Sequence, residues 1–307
     1  MRVAVVDIGT NSTRLLIADV SGDGRVDELE RRSTVTRLGQ GVEQTGVLAQ
    51  DAMQRVFSAL AQYRAAIDEQ RVEATTAVLT SAVRDAANGA QFTAQVARDY
   101  GLDAETISGD EEARLTFLGA TSERPADAGE SVVIDIGGGS TEFVVGSGRD
   151  VAFFVSTRAG VVRHSERHLH DDPPPPAQLQ ALSADVAEVF AAALPAEVRA
   201  RTPAGIAVAG TATSCAAMAQ ALEPYDPEKV HGYRLALGEC EMLLAKLALM
   251  DNGQRRTVPG LHPDRAPTIV AGVLLLIEAM RAFGLEEVEV SEHDILRGAA
   301  LRRAGVA

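Results

Sequence analysis

A chain of 307 residues is long for a single core and suits two domains of ordinary size, and 46% hydrophobic against 23% charged residues is a globular composition. Its net charge, 29 − 43 = −14, argues against holding nucleic acid by electrostatics, and it sets a repulsive far field against any polyanion. The opening MRVAVVD reads as a buried strand and not as a secretion signal, and the longest apolar run, Ile269 to Met280, is interrupted by Glu278 and too short to cross a bilayer; a cytoplasmic address with no membrane partner is therefore expected.

In chain order, strands are expected at Val3–Asp7, Arg14–Val20 and Arg25–Arg37, joined by the tight turns DIGTNS and SGDG. A helix follows at about Asp51–Glu69, where Met53, Val56, Phe57, Leu60, Arg64 and Ile67 recur at helical period. A strand at Thr76–Leu79 runs into TSAVRDAANG and another helix, and Asp110–Gly119 opens as a helix with acidic residues in its first turn. The second half repeats the scheme. Strands Ser131–Asp135, Glu142–Val145 and Val151–Ser156 precede helical segments at about Gly160–Leu169 and Ala177–Leu194, linked by DDPPPP, a stiff exposed connection. A strand at Gly205–Ala209 then enters GTATS and a helix; helices near Leu237–Leu249 and Ala266–Phe283, a strand at Glu287–Val290 and a last helix from about Glu292 complete the chain. Cys215 and Cys240 are expected to stay reduced, with no base beside either.

The two halves share more than element order. Asp7-Ile8-Gly9-Thr10-Asn11-Ser12-Thr13-Arg14 aligns with Asp135-Ile136-Gly137-Gly138-Gly139-Ser140-Thr141-Glu142, five of eight positions identical at an offset of 135 − 7 = 128 residues, roughly one domain length. Three consecutive glycines between apolar strands exceed the needs of a hairpin; they let backbone N–H groups approach a phosphate. Asp135 and Glu142 could anchor Mg²⁺. In the first copy Thr10, Asn11 and Ser12 add side-chain donors, and Arg14 replaces Glu142, so one half offers a cation and the other an anion. Thr80-Ser81-Ala82-Val83-Arg84-Asp85 is a strand-to-helix turn whose hydroxyls, helix amides and guanidinium could make a second phosphate seat, although taken alone Ser81 reads as an N-cap and Arg84–Asp85 as a solvated surface pair. Gly210-Thr211-Ala212-Thr213-Ser214 is the matching turn of the second half and equally ordinary in isolation. A glutamate in Ser108-Gly109-Asp110-Glu111-Glu112, which ends the first half, could take a proton from attacking water. His164, His168 and His170 lack a metal-ligand pattern and read as core or surface residues. The whole is an α/β pair with an expected cleft between the halves, where such folds bind ligands.

DIGTNSTRLLI, TSAVRDA, SGDEEARLTFLG, IDIGGGSTEFVVG, GTATS and PGLHPDRA, in this order, resemble the Ppx/GppA phosphatase family over nearly the whole chain. The resemblance implies two related ribonuclease-H-like domains of the actin-like ATPase superfamily, Mg²⁺ dependence, and hydrolysis of terminal phosphoryl groups from inorganic polyphosphate or guanosine pentaphosphate (pppGpp). The expected domains are 1–122 and 123–307, with the last helix, about 292–307, able to pack back on the first. By position, Glu112 matches the family's general base; Asp135 and Glu142 match its metal-binding and water-orienting acids, and Asp7 is counted with them as a metal ligand. Gly9, Asn11, Ser12, Arg14, Ser81, Arg84, Gly137, Gly138, Gly139, Ser140, Gly210 and Thr211 match its phosphate-contacting turns. The chain resembles the short members without C-terminal helical domains, and its SEHDILRG departs from the SDxGLRxG of many members.

The expected activity is therefore that of an exopolyphosphatase: water, activated by Glu112, attacks a terminal phosphoryl held by the glycine turns, Arg14, Arg84 and Mg²⁺. Alternatives are a pppGpp phosphohydrolase, an actin-like ATPase or kinase, and a non-catalytic polyphosphate sensor. ATP is a candidate side substrate and a homodimer a candidate assembly.

Overall fold

A computed structural model describes residues 1–125, 128–148 and 150–306; residue 307, the far end of the expected last helix, lies outside them. The chain divides into two compact units, Met1–Ser122 with Asp294–Ala307, and Glu123–His293.

In the first unit β1 (Arg2–Ile8), β2 (Ser12–Val20) and β3 (Val26–Val35) form an antiparallel meander, followed by α1 (Val42–Thr45), α2 (Gln50–Glu69), β4 (Ala74–Leu79), α3 (Ser81–Asp85), α4 (Gly89–Tyr100), β5 (Ala104–Thr106) and α5 (Gly109–Thr121). The second unit holds β6 (Ser131–Ile136), β7 (Thr141–Ser147), β8 (Asp150–Thr157), α6 (Val161–His168), α7 (Pro176–Ala193), α8 (Ala196–Arg201), β9 (Gly205–Val208) and α9 (Ala209–Ala219). It continues with α10 (Pro227–Val230), β10 (Arg234–Ala236), α11 (Leu237–Ala248), α12 (Asn252–Arg255), α13 (Ile269–Phe283) and β11 (Glu287–Val290). The chain then returns to the first unit with α14 (Ile295–Arg303).

The first sheet has the order β3-β2-β1-β4-β5, with β4 parallel to β1. Read from its far edge, the second sheet repeats it as β8-β7-β6-β9-β11, adding β10 antiparallel at the edge. Both sheets are mixed and share this strand order, and the expected α/β class holds. Central strands buried on both faces explain the near-continuous apolar runs of β1 and β6, whose only interruptions near the turns are Asp7 and Asp135. In the first unit Ala4, Val6 and Ile8 pack with α2 and α4, while Val3, Val5 and Leu16 pack with α14 and Leu115 of α5. In the second, α13 is apolar around its circumference and lies in the core with Val132, Ile134 and Phe143.

Three local expectations change. GTATS is not a turn ahead of a helix: α9 begins at Ala209, whose left-handed backbone (φ 60°) reverses the chain at once, so Gly210–Ser214 form its first turns. TSAVRDAANG is a short helix, broken by extended Ala86, before α4. The DDPPPP link is largely exposed, but Pro174 is buried and Asp172 is fastened to Arg255 (3.0 Å) and to the Asn252 amide (2.7 Å). The short elements α1, α8, α10, α12, β5 and β10 have too few residues to declare a period.

Candidate active site

The repeat is realised atom by atom. Asp7 faces Arg14 across β1–β2 as Asp135 faces Glu142 across β6–β7. Asp7 also aligns with Val78 of parallel β4, as Asp135 does with Val208 of β9. Each hairpin turn is closed by the same bond: the Gly9 amide donates to Ser12 O at 2.9 Å, the Gly137 amide to Ser140 O at 2.9 Å.

In the first unit the turn is braced from two sides. Thr10 and Asn11 carbonyls accept the Gly39, Thr36 and Arg37 amides at 2.9–3.0 Å, and Thr10 Oγ1 shares a 2.8 Å hydrogen bond with Ser81 Oγ at the start of α3. Asn11 and Ser12 are half-buried on the same turn. Three residues beyond Ser81, Arg84 Nη1 donates to Ile107 O (2.9 Å) and to Glu112 Oε2 (3.1 Å). Ser108 caps α5 by accepting the Glu111 amide at 3.2 Å, which sets Glu112 on the first turn, only 8% exposed. The structure thus brings Gly9, Asn11, Ser12 and Ser81 into one braced turn system, and Arg84 and Glu112 into one ion pair.

Arg14, Asp7 and Asp294 form one charged cluster. Arg14 Nε and Nη2 both donate to Asp7 Oδ2, at 2.8 and 2.7 Å, and Nη1 binds Asp294. The guanidinium is clamped between two buried carboxylates and does not stand as a surplus cation. Asp7 engages the clamp through one oxygen, Oδ2. Burial pushes the Asp7 carboxyl above its ordinary range, Arg14 opposing and Asp294 adding. Asp294 is equally buried, but Arg14, Arg31 and the Leu296 amide together hold it below its ordinary range.

In the second unit the carbonyls of Gly137 and Gly138 accept the amides of Val161 (3.0 Å) and Val162 (2.8 Å), and the Gly139 carbonyl accepts Arg163 Nε at 2.9 Å. In a trans peptide the next N–H points opposite to each C=O. The Gly138, Gly139 and Ser140 amides are therefore turned away from α6. Gly160 makes this approach possible, since a Cβ there would lie 2.4 Å from Gly139 C. Asp135 and Glu142 are 7% and 1% exposed; as antiparallel register partners their Cβ atoms lie about 5 Å apart on one face. Ser156 Oγ donates to Glu142 Oε1 at 2.7 Å. Two buried hard-oxygen donors side by side fit a hard divalent cation. On α9, Thr211 Oγ1 reaches Ile136 O at 3.5 Å, tying that turn to the end of β6.

Four contributors escaped the sequence reading. Asp294 came from the atypical SEHD stretch. Arg163 immediately precedes His164 and the histidines that were weighed as metal ligands. Ser156 is an unremarkable strand residue. Arg265, from PGLHPDRA, lies over Gly210, where an added Cβ would come within 1.6 Å of its guanidinium. Its signal was an arginine inside a recognisable motif. Of the histidines weighed from the sequence, His164 is wholly buried and His168 Nε2 donates to Asp185 Oδ2 at 2.7 Å.

Comparison with known proteins places the chain. It is 39% identical over 319 residues to Exopolyphosphatase 2 of Mycobacterium tuberculosis (strain H37Rv), covering 99% of each. The solved Ppx/GppA family member of Aquifex aeolicus superposes with a TM-score of 0.82 at 32% identity, over 99% of this chain and 97% of that one. An exopolyphosphatase from Cytophaga hutchinsonii gives 0.89 at 27% identity, over 100% and 99%. Phosphatases of this kind point to dependence on a divalent metal. No helix among the described residues is long and apolar enough to cross a membrane. The family profile matches residues 16–303, and the chain belongs to the Ppx/GppA phosphatase family.

Proposed function

We propose that this chain is an exopolyphosphatase that releases the terminal phosphate of inorganic polyphosphate with Mg²⁺ as cofactor. The observation that carries the reading is the Arg84–Glu112 pair, a buried carboxylate held 3.1 Å from a phosphate-seat arginine at the head of α5. Full-length similarity to the M. tuberculosis exopolyphosphatase supports it. Within the first unit Gly9, Asn11, Ser12 and Ser81, and within the second Gly137, Gly138, Gly139, Ser140, Gly210 and Thr211, each offer amides and hydroxyls suited to phosphoryl oxygens. Arg84 neutralises phosphate charge and orients Glu112. Glu112 takes a proton from water as the water oxygen bonds to the terminal phosphorus; the bridging P–O bond breaks, and the shortened chain leaves with its electron pair. Arg14 acts behind this site by fixing Asp7. Asp135 and Glu142 would hold Mg²⁺, which would supply neutralisation of charge on the phosphoryl oxygens. Positioning and electrostatics supply most of the rate.

Phosphate release from polyphosphate of graded lengths, with and without Mg²⁺, tests the proposal, with pppGpp and ATP as parallel substrates. Wild type is expected to prefer polyphosphate, and Glu112→Gln to lose about 10²–10⁴ in kcat with unchanged thermal unfolding. Undiminished release by Glu112→Gln removes the base; faster release from pppGpp reassigns the substrate.

A further inference from the structure

We infer that the second unit carries a separate binding site for a transition-metal divalent cation of the zinc class, formed by Glu123, His231 and His293. One ligand atom from each lies within 4.8 Å of the other two. His293 Nδ1 is 3.7 Å from Glu123 Oε2, and the two imidazole rings have centroids 4.4 Å apart, tilted by 38°. The donor set differs in kind from that of Asp135 and Glu142. Two imidazole nitrogens and one carboxylate select zinc-like ions over the oxygen-preferring Mg²⁺.

The segments bearing the histidines are pre-positioned. The Gly232 amide donates to Val290 O and the Val290 amide to Tyr233 O, both at 2.8 Å, lacing the chain after His231 to the chain before His293. Buried Ser291 fixes the His293 backbone, accepting its amide at 3.0 Å and donating to its carbonyl at 3.2 Å. The Glu292 amide donates to His231 Nδ1 at 3.2 Å, a weak contact that a bound ion replaces. The carboxylate is the adjustable member: Glu123 is 56% exposed at its side chain, and a small rotation brings the donors to the roughly 3.4 Å separation set by tetrahedral Zn²⁺ bonds of about 2.0–2.1 Å. Exposure also gives the ion a path and leaves its fourth position to water. Glu123 opens the second unit and His293 closes it, so the ion would cross-link the unit's two ends. The inference does not rest on the polyphosphate reading.

The test is titration of the full-length, chelator-treated chain with Co²⁺ as a spectroscopic probe, under saturating Mg²⁺. The expected result is one Co²⁺ per chain with the intense visible bands of low coordination, displaced by Zn²⁺. His231→Ala and His293→Ala should each weaken binding at least tenfold, and Glu123→Gln should weaken it less, while His170→Ala, at an exposed histidine elsewhere, should change nothing. Zn²⁺ should raise the thermal unfolding midpoint of the wild type and not of His231→Ala. Should His293→Ala misfold, the exposed His231 and Glu123 variants decide alone. Absence of tight Co²⁺ binding to the wild type, or binding by His231→Ala as tight as that of the wild type, overturns the site.

Discussion

Arg14 shows how one side chain can bind the two ends of a sequence into a unit. It is the register partner of Asp7 on neighbouring strands and meets Asp294, 280 positions later. Asp294 does double duty, since its Oδ1 accepts the Leu296 amide at 3.0 Å and caps α14. Two buried carboxylates share one guanidinium; burial nonetheless leaves Asp7 above its ordinary range, whereas Arg14 together with Arg31 and the Leu296 amide outweighs burial at Asp294 and holds it below. Removing the cation should therefore cost more than removing one anion. Arg14→Met, which keeps the volume but leaves two facing carboxylates, is expected to lower stability by about 3–5 kcal/mol at neutral pH. The double variant Arg14→Met/Asp7→Asn should recover a large part of that loss. Urea denaturation of the three proteins measures both quantities. A loss of under about 1 kcal/mol for Arg14→Met would show that the cluster is not electrostatically closed.

Among elements, the crossing of α5 and α14 governs the placement of both Glu112 and the Arg14 clamp. Glycines make it possible: an added Cβ at Gly119 would meet Asp294 O at 1.9 Å, and one at Gly298 would meet Leu115 O at 1.8 Å. The backbones touch directly, and Arg302 fastens the pair from outside through Glu111 at 2.6 Å. Gly298→Ala must separate the helices, with an expected cost of about 1–3 kcal/mol or more and lower phosphate release, because α5 carries Glu112 and Asp294 caps α14. Gly22→Ala, with open space at its Cβ, is the control and should match wild type in urea denaturation. Such a crossing explains what sequence reading could and could not reach. The Asp7–Arg14 and Asp135–Glu142 repeat was legible because strand and turn chemistry is local, and Glu112 because it opens a helix within a motif. The Arg14–Asp294 bond was not, because it depends on where α14 returns, and a small-residue contact leaves no periodic trace. The Glu123–His231–His293 group was hidden for the same reason, its members lying on three segments far apart in sequence.

At the scale of the molecule, acid should act on the second core before it acts on the clamped carboxylates. His164 is fully buried on α6, its Nε2 makes no hydrogen bond, and Nδ1 lies 3.2–3.3 Å from the Gly160 carbonyl and amide. Burial pushes its pKa down to about 4; Asp185 of α7, 3.6 Å away, opposes this, while Arg167 and His168 of its own helix reinforce it. Asp185 is already engaged by His168 and by Arg167 at 3.1 Å. The sign follows from proton uptake. As pH falls below about 6.5, the unfolded chain protonates His164 while the folded chain does not, so stability declines until pH reaches about 4 and then levels for this group. A depression of this size corresponds to about 3 kcal/mol. Asp185 and Asp294, held below their ordinary range, lose their contributions only at lower pH. Asp7, raised, acts in the opposite sense above its ordinary value, but it is common to wild type and variant and cancels in their difference. Unfolding free energies of wild type and His164→Gln, measured by urea denaturation from pH 7.5 to 4, should therefore differ most at pH 7.5. The wild-type advantage should shrink by about 3 kcal/mol across that range. Two parallel curves would assign the acid sensitivity of this core to other groups.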